Sequence, residues 1–280
     1  MAKNPDTDFV DLILARPNFD AGPELQALVD RHGRGLPLLK AVITESILPR
    51  DEAGRLWAQS VGHAYVDPFA SIITEEAVAA IPVEIAKKTR AIGLYTIDGV
   101  LTAAMTTPED EALVKRISQI TQLPVSPVFA LPEDIEDSIL IQYSSEKNLE
   151  ESLGELERSG LFNQPDLAAE KLAVSADTTP VAGILDEIIY YAIRERATDI
   201  HIEPQETLSR IRFRIDGRLA EILTFSRKLH RSVIARLKII SSLNIAETRF
   251  PQDGRFSVQI GSNKANFRLS TIPSQFGEKA

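Results

Sequence analysis

The chain has 280 residues, 44% of them hydrophobic and 25% charged, with a formal net charge of -9 and no cysteine. That length suffices for two domains of ordinary size, the lack of cysteine excludes disulfides and thiolate metal sites, and the acidic balance weighs against general nucleic-acid binding. No apolar run approaches the ~18 residues needed to span a bilayer, and MAKNPDTDFV lacks the basic-then-apolar pattern of a secretory leader, so a cytoplasmic protein is the simplest expectation.

Apolar residues at three- and four-residue spacing predict helices over PELQALVDRHG and LPLLKAVITESI. PRDEAGRLWAQSVG reads as another, with Asp51 as N-cap and Gly62 as its stop. AYVDP reads as a short strand ended by Pro68, and EEAVAAIPVEIAKKT as a helix broken at Pro82. The period then changes. AIGLYTIDGVLTAAMTT predicts two strands about an Asp98-Gly99 turn, where both central positions favour positive φ. A helix opened by Pro108, a strand PVSPVFAL and a helix opened by Pro132 follow. The expected class is α/β: a helical subdomain and a small α/β sandwich over residues 1–144.

Residues 145–176 are Glu-rich, interrupted by Gly and Pro, and poor in large apolar side chains. They read as a linker with room for a short surface helix. A second domain is expected over 177–280. Its first helix is capped by Thr179, with Pro180 at the first helical position and a stripe of Val181, Ile184, Leu185, Ile188, Ile189 and Ala192. Then come the strand DIHIE, the hairpin RIRFRIDGRLAEIL about Asp216-Gly217, the helix RKLHRSVIARLKIISSL and a turn at PQDG. Two closing strands, RFSVQI and NFRLSTI, are joined by GSNK.

In DIHIE, Asp199, His201 and Glu203 share one strand face. They could ligate a metal, or simply form the polar face of a half-buried strand. No second cluster completes a coordination set. In RIRFRI, Arg210, Arg212 and Arg214 share a face opposite Ile211, Phe213 and Ile215. A two-residue turn at Asp216-Gly217 sets Arg212 opposite Glu221, which predicts a cross-strand ion pair there and leaves Arg210 and Arg214 without an acidic partner. Arg227, Arg231 and Lys238 fall on one face of the next helix. From Leu208 to Arg255 there are eleven Arg or Lys against four Asp or Glu. This basic surface reads either as a phosphate-facing site or as a solvated face. No aromatic platform, helix-turn-helix or zinc pattern supports nucleic acid. No P-loop, nucleophile elbow or H-E-x-x-H is present. Gly33, Arg34 and Gly35 read as a turn rather than a ligand site.

ERATDIHIEP, RIRFRIDG, ARLKIISSLNIAETRFPQDGRFS and FRLSTIPSQFGEKA resemble, in order, the segments that precede the P-loop in secretion and pilus-assembly ATPases of the GspE and PilB kind. LPLLKAVITESILPRDEAGRLWAQSVGHAYVDP, GLYTIDGVLTAAMTTPED and TQLPVSPVFALPEDIEDSI resemble, more loosely, the N-terminal domain of those proteins. The resemblance implies that 177–280 is a PAS-like domain with an antiparallel sheet, followed in relatives by a RecA-like ATPase domain. It makes Asp199, His201, Glu203, Asp253 and Gly254 a structural signature. It implies a homo-hexamer that binds ATP and Mg, with Arg212 and Arg227 foremost at the phosphates and Arg214, Arg249 and Arg255 behind them. Without a P-loop, residues 1–280 are expected not to hydrolyse ATP alone, and to bind no metal. The implied partner is the cytoplasmic part of an inner-membrane platform protein, with the chain peripheral to that membrane and not inserted in it. The alternatives are a stand-alone adaptor or a cyclic-dinucleotide receptor. In some relatives a glycine-containing motif binds cyclic di-GMP. Here Leu39 and Ser46 stand where the glycines would be, and close backbone approach needs those glycines.

Overall fold

The structure is a computed structural model that describes residues 8–17, 19–159, 180–260 and 263–280. It mixes helices with small sheets, an α/β architecture, in two compact units, Met1–Ile139 and Leu140–Ala280.

The first unit opens with α1 (Phe9–Leu14), α2 (Gly22–His32), α3 (Leu36–Thr44) and α4 (Arg50–Ser60). Their apolar stripes meet in one core that includes Phe9, Ile13, Leu28, Val42, Trp57 and Phe129, with Phe9 edge-on to Trp57 at 5.2 Å. Pro49, not Asp51, occupies the N-cap of α4, and Asp51 lies within the first turn, where its charge complements the helix dipole. Gly62, at φ 78°, lies just past the helix end as expected. The expected strand AYVDP reduces to a single parallel bridge between Tyr65 and Phe129. The Asp67 carboxylate accepts the Phe69 N–H at 2.9 Å and turns the chain into a short 3-10 helix, Pro68–Ala70.

Pro82 separates α5 (Glu75–Ala80) from α6 (Val83–Thr89). β1 (Ala91–Ile97) and β2 (Val100–Met105) form the expected hairpin, with Asp98 at φ 49° and Gly99 at φ 75°. β3 (Val125–Phe129) adds parallel to β2 after α7 (Glu111–Thr121), and α8 (Pro132–Gln142) follows. α7 begins later than expected. Pro108 sits in a turn closed by Asp110 N–H on the Thr107 carbonyl, and Asp110 then caps the helix through the Leu113 N–H at 3.0 Å. Gly93 in β1 lets α5 lie against the strand: a Cβ there would stand 2.1 Å from the Ala77 carbonyl oxygen.

In the second unit, Glu146–Arg158, placed in a linker by the sequence, form the helix α9. Ser145 caps it through the Asn148 N–H at 3.1 Å. Leu149, Leu153 and Leu156 are buried in the same core as Ile184, Ile188 and Phe225, and Ser152 donates to Glu187 at 3.1 Å. The stripe is sparse, one leucine per turn among glutamates, which is why it passes for a solvated segment. From residue 160 to 176 the expected linker lies outside the described residues, as does Thr179.

α10 (Pro180–Arg194) buries the whole predicted stripe. β4 (Asp199–Pro204), β5 (Leu208–Ile215) and β6 (Arg218–Ser226) form one antiparallel sheet in chain order. α11 (Arg227–Ile240) leads to a second antiparallel sheet of β7 (Gln252–Ile260), β8 (Asn263–Ser274) and β9 (Gly277–Lys279). Gly261 and Ser262 of GSNK lie outside the described residues. PQDG is not a turn but the entry to β7. Gly254 is required there because a Cβ would come within 2.9 Å of the Ser241 carbonyl oxygen. The turning is done instead by the loop ahead of it, which the Gln252 amide staples by accepting from Asn244 N–H at 2.9 Å and donating to the carbonyls of Asn244 and Glu247.

If α9 is part of the core, Leu153→Ala should cost about 2–4 kcal/mol in urea unfolding. A linker position would change stability by a few tenths at most.

Candidate functional site

The hairpin register expected about Asp216-Gly217 is observed: Ile215 pairs with Arg218, Arg214 with Leu219 and Arg212 with Glu221. The ion pairing differs. On its other edge β5 pairs with β4, setting Asp199 opposite Arg214, His201 opposite Arg212 and Glu203 opposite Arg210. Glu203 accepts from Arg212 at 2.5 Å and from Arg210 at 3.0 Å, and Asp199 accepts from Arg214 at 3.0 Å. Glu221 turns to Arg210 at 3.4 Å rather than to Arg212, next to a register shift between Ile211 and Arg212. Arg210 and Arg214 therefore do have acidic partners, supplied by the DIHIE strand. The carboxylate of Glu203 is partly buried, which alone would raise its pKa. The hydrogen bonds from Arg212 and Arg210 outweigh burial and hold it below the usual value. Among the described residues no group of three or more His, Asp or Glu is placed to hold a metal ion.

The other expected cations separate into three kinds. Arg249 is exposed and folds back on Glu247 at 3.2 Å. Lys238 is buried, 1% exposed, not part of an open basic face. Its ammonium donates to Glu278 Oε2 and to the Glu247 carbonyl, each at 2.7 Å, and so ties α11 to β9. Arg227 donates to two neutral carbonyls, Glu206 at 2.8 Å and Phe276 at 2.9 Å, and lies over the Phe276 ring at 5.7 Å. Its position is fixed, and among the described residues no carboxylate lies at ion-pair distance of it. Arg227 and Arg231 border a cleft of about 440 Å³ that also includes His230, Thr248, Phe276 and Glu278. Burial pushes the His230 imidazole below its ordinary pKa. The Glu278 carbonyl, 2.6 Å away, opposes this and the Arg227 charge adds to it.

Arg255 is exposed and stands directly opposite Arg268 in the β7–β8 register, with no carboxylate at ion-pair distance of either among the described residues. Arg268 is a cation that the sequence reading missed. The alternation in NFRLSTI is the signal that could have found it, but only the register sets it beside Arg255. Asp253 is exposed opposite Ser270.

In the first unit, Arg34 pairs with Asp8 between Gly33 and Gly35, as a turn residue does. Leu39 is buried within α3, at 1% exposure. Ser46 adopts φ 56° directly after that helix, so the backbone there takes a glycine-like shape while carrying a side chain. Among the described residues no helix is long and apolar enough to cross a membrane.

Residues 61–148 match the family model of the MshEN domain, and residues 174–280 match that of the type II/IV secretion system protein. The chain is 33% identical over 211 residues to the type IV pilus assembly ATPase PilB of Myxococcus xanthus, covering 74% of this chain and 37% of that protein. It is 46% identical over 110 residues to the type II secretion system ATPase E of Vibrio cholerae, covering 39% and 22%. The chain is a GspE/PilB-like N-terminal region. Solved structures that match it include MshE with cdg, at 18% identity and TM-score 0.41 over 49% of this chain and 99% of that one. Another is the N-terminal domain of XpsE, at 20% identity and TM-score 0.35 over 50% and 96%. This GspE/PilB-like region thus spans less than two fifths of the length of these two curated relatives. The arginine ladder, the Arg227 cleft and the buried Lys238 all fall within the secretion-system match.

Two stability measurements check this geometry. Glu203 has a depressed pKa when folded, so its stabilisation is complete above its unfolded pKa and lost as pH falls through the folded value. Glu203→Gln should cost about 1–2 kcal/mol at pH 7 and flatten the loss of stability below about pH 4.5. Lys238→Ala should cost about 3–5 kcal/mol, because it strands a buried carboxylate. The double variant Lys238→Met, Glu278→Gln should recover most of that loss in thermal unfolding.

Proposed function

We propose that this region is the N-terminal part of a hexameric traffic ATPase of secretion or pilus-assembly machinery. Its first domain, expected over 1–144, docks on the cytoplasmic part of an inner-membrane platform protein. Its second, the PAS-like domain expected over 177–280, presents cations to the phosphates of Mg-ATP held by a P-loop domain. The region then works at the cytoplasmic face of the membrane, peripheral to it. The observation that carries this reading is Arg227: a guanidinium positioned by two carbonyls and an aromatic ring, at the border of a cleft, with its charge still available. Preorganised, un-neutralised donors are what phosphoryl transfer requires. Arg255 joins it on the same ground of an uncompensated charge. Arg212 and Arg214 reach a phosphate only by leaving Glu203 and Asp199, and Arg249 only by leaving Glu247, so they rank below the first two. Ile72 and Ile97, strongly exposed in the first unit, support docking there. A cyclic-dinucleotide receptor is less well supported, since Leu39 is a packing position within a helix.

The test is made in the protein that carries this region together with its catalytic domain. Arg227→Ala should lower kcat by about 100-fold or more with the hexamer intact, and Arg249→Ala by less than about twofold. Unchanged turnover in Arg227→Ala would remove Arg227 from the phosphate site.

A further inference from the structure

The β7–β8 pair has one face on the core and one in solvent. Phe256 and Phe267 lie opposite each other and stack with ring centroids 4.9 Å apart, and Leu269 on the same face is buried. Alternation sends Arg255 and Arg268 to the other face, where the register sets them directly across from one another. Cβ atoms at such a position stand about 5 Å apart. Both residues are exposed, and neither has a carboxylate at ion-pair distance among the described residues. Like charges directly opposite destabilise a sheet. The arginines of β5 differ, since Arg210, Arg212 and Arg214 each meet an acid.

The surroundings of this pair suit an anion. On one side lie Ser257 and Asn266, opposite each other. The Ser257 hydroxyl donates to Asn266 Oδ1 at 2.8 Å, which orients the amide and leaves its N–H groups to donate elsewhere on this face. Beyond them Lys264 stands opposite Gln259. On the other side Asp253, opposite Ser270, is the one acid in either strand. Three cations and one acid therefore share the face. Because the acid is at one end, an anion between the arginines is drawn toward Asn266 and Lys264. The strands are also held from beneath. The stacked rings pack against the core, and β7 lies so close to Ser241 that a Cβ on Gly254 would come within 2.9 Å of it. Both guanidinium stems thus start from fixed points.

We infer that Arg255 and Arg268 form a two-armed clamp for a doubly charged tetrahedral oxyanion, the phosphate of an ester or of inorganic phosphate. One guanidinium fork already satisfies a carboxylate through two parallel hydrogen bonds. Two forks side by side carry two charges and call for an acceptor with two charges and at least three oxygens, which a terminal phosphate has. Bound between them, it replaces their mutual repulsion with attraction to both, and the Asn266 amide supplies a further donor. The inference deepens the proposed function by giving Arg255 a second arm in Arg268. It rests on that function only for the source of the phosphate, since the clamp itself follows from the register.

The test follows the arginine Nε–H resonances of residues 1–280 during titration with inorganic phosphate, ATP without metal, and acetate, at constant ionic strength. Arg255 and Arg268 should move together with one midpoint in phosphate and in ATP, acetate should need at least about tenfold more, and Arg249, paired with Glu247, should stay in place. Arg268→Gln should raise the phosphate midpoint read at Arg255 by about tenfold or more. Without phosphate the same variant should melt no lower than the parent chain, because it removes a repulsion. Separate midpoints for the two arginines, equal response to acetate, an unchanged midpoint in Arg268→Gln, or a fall in its melting temperature of more than about 3 °C would overturn the clamp. In the protein that also carries the catalytic domain, Arg268→Gln should lower kcat at least about tenfold. Unchanged turnover with the phosphate titration intact would leave the clamp standing and assign its phosphate to a source other than the hydrolysed nucleotide.

Discussion

A half-buried guanidinium must find an anion, and the second unit is built around that requirement. Arg210, Arg212 and Arg214 lie on a strand whose alternate residues, Ile211 and Phe213, are fully buried. The strand that carries the arginines cannot turn over without pulling those side chains out of the core. The carboxylates come from the neighbouring strand, where Asp199 and Glu203 alternate with Ile200 and Ile202. Charge pairing and core packing thereby specify the same register. A slip of one residue would strand three cations and expose the apolar face at once.

Both halves of this arrangement are written in the chain, and only one was legible. The hairpin about Asp216-Gly217 announces itself through local turn chemistry, as does the one about Asp98-Gly99. The α10 stripe is equally plain, because it is long and strictly periodic. The β4–β5 pairing leaves a subtler trace: acids at alternate positions in DIHIE mirror basics at alternate positions in RIRFR across a short loop. Reading β5 against β6 alone misses it, because a central strand has two neighbours and its charges answer to both. Local signals fail in the same way elsewhere. Asp51 and Pro108 both suit a helix start, but the chain caps at Pro49 and Asp110. The leucines of α9 are recognisable as a buried stripe only once something lies under them.

Lys238 shows the opposite failure. Helical spacing placed it correctly on the face of Arg227 and Arg231, yet spacing says nothing of depth. Its partner Glu278 is forty residues away on β9, whose position depends on the β8–β9 turn. The candidate site is thus a composite. The arginines are readable as types, but which of them keeps a free charge is decided by carboxylates and carbonyls brought in from distant strands. Arg227 and Arg255 are singled out because no carboxylate among the described residues meets them, and that is a property of the fold.

The grip on Arg227 has one more consequence. Its two carbonyl acceptors belong to different segments, the β4–β5 loop at Glu206 and the β8–β9 turn at Phe276. The guanidinium is therefore a rivet between the two sheets as well as a charge at the cleft. An anion that draws it outward must loosen that rivet, and Phe276 with it. The turn so released leads directly into β9, where Glu278 holds Lys238. The cleft and the last strand are in this way joined through a single side chain whose bonds reach both sheets.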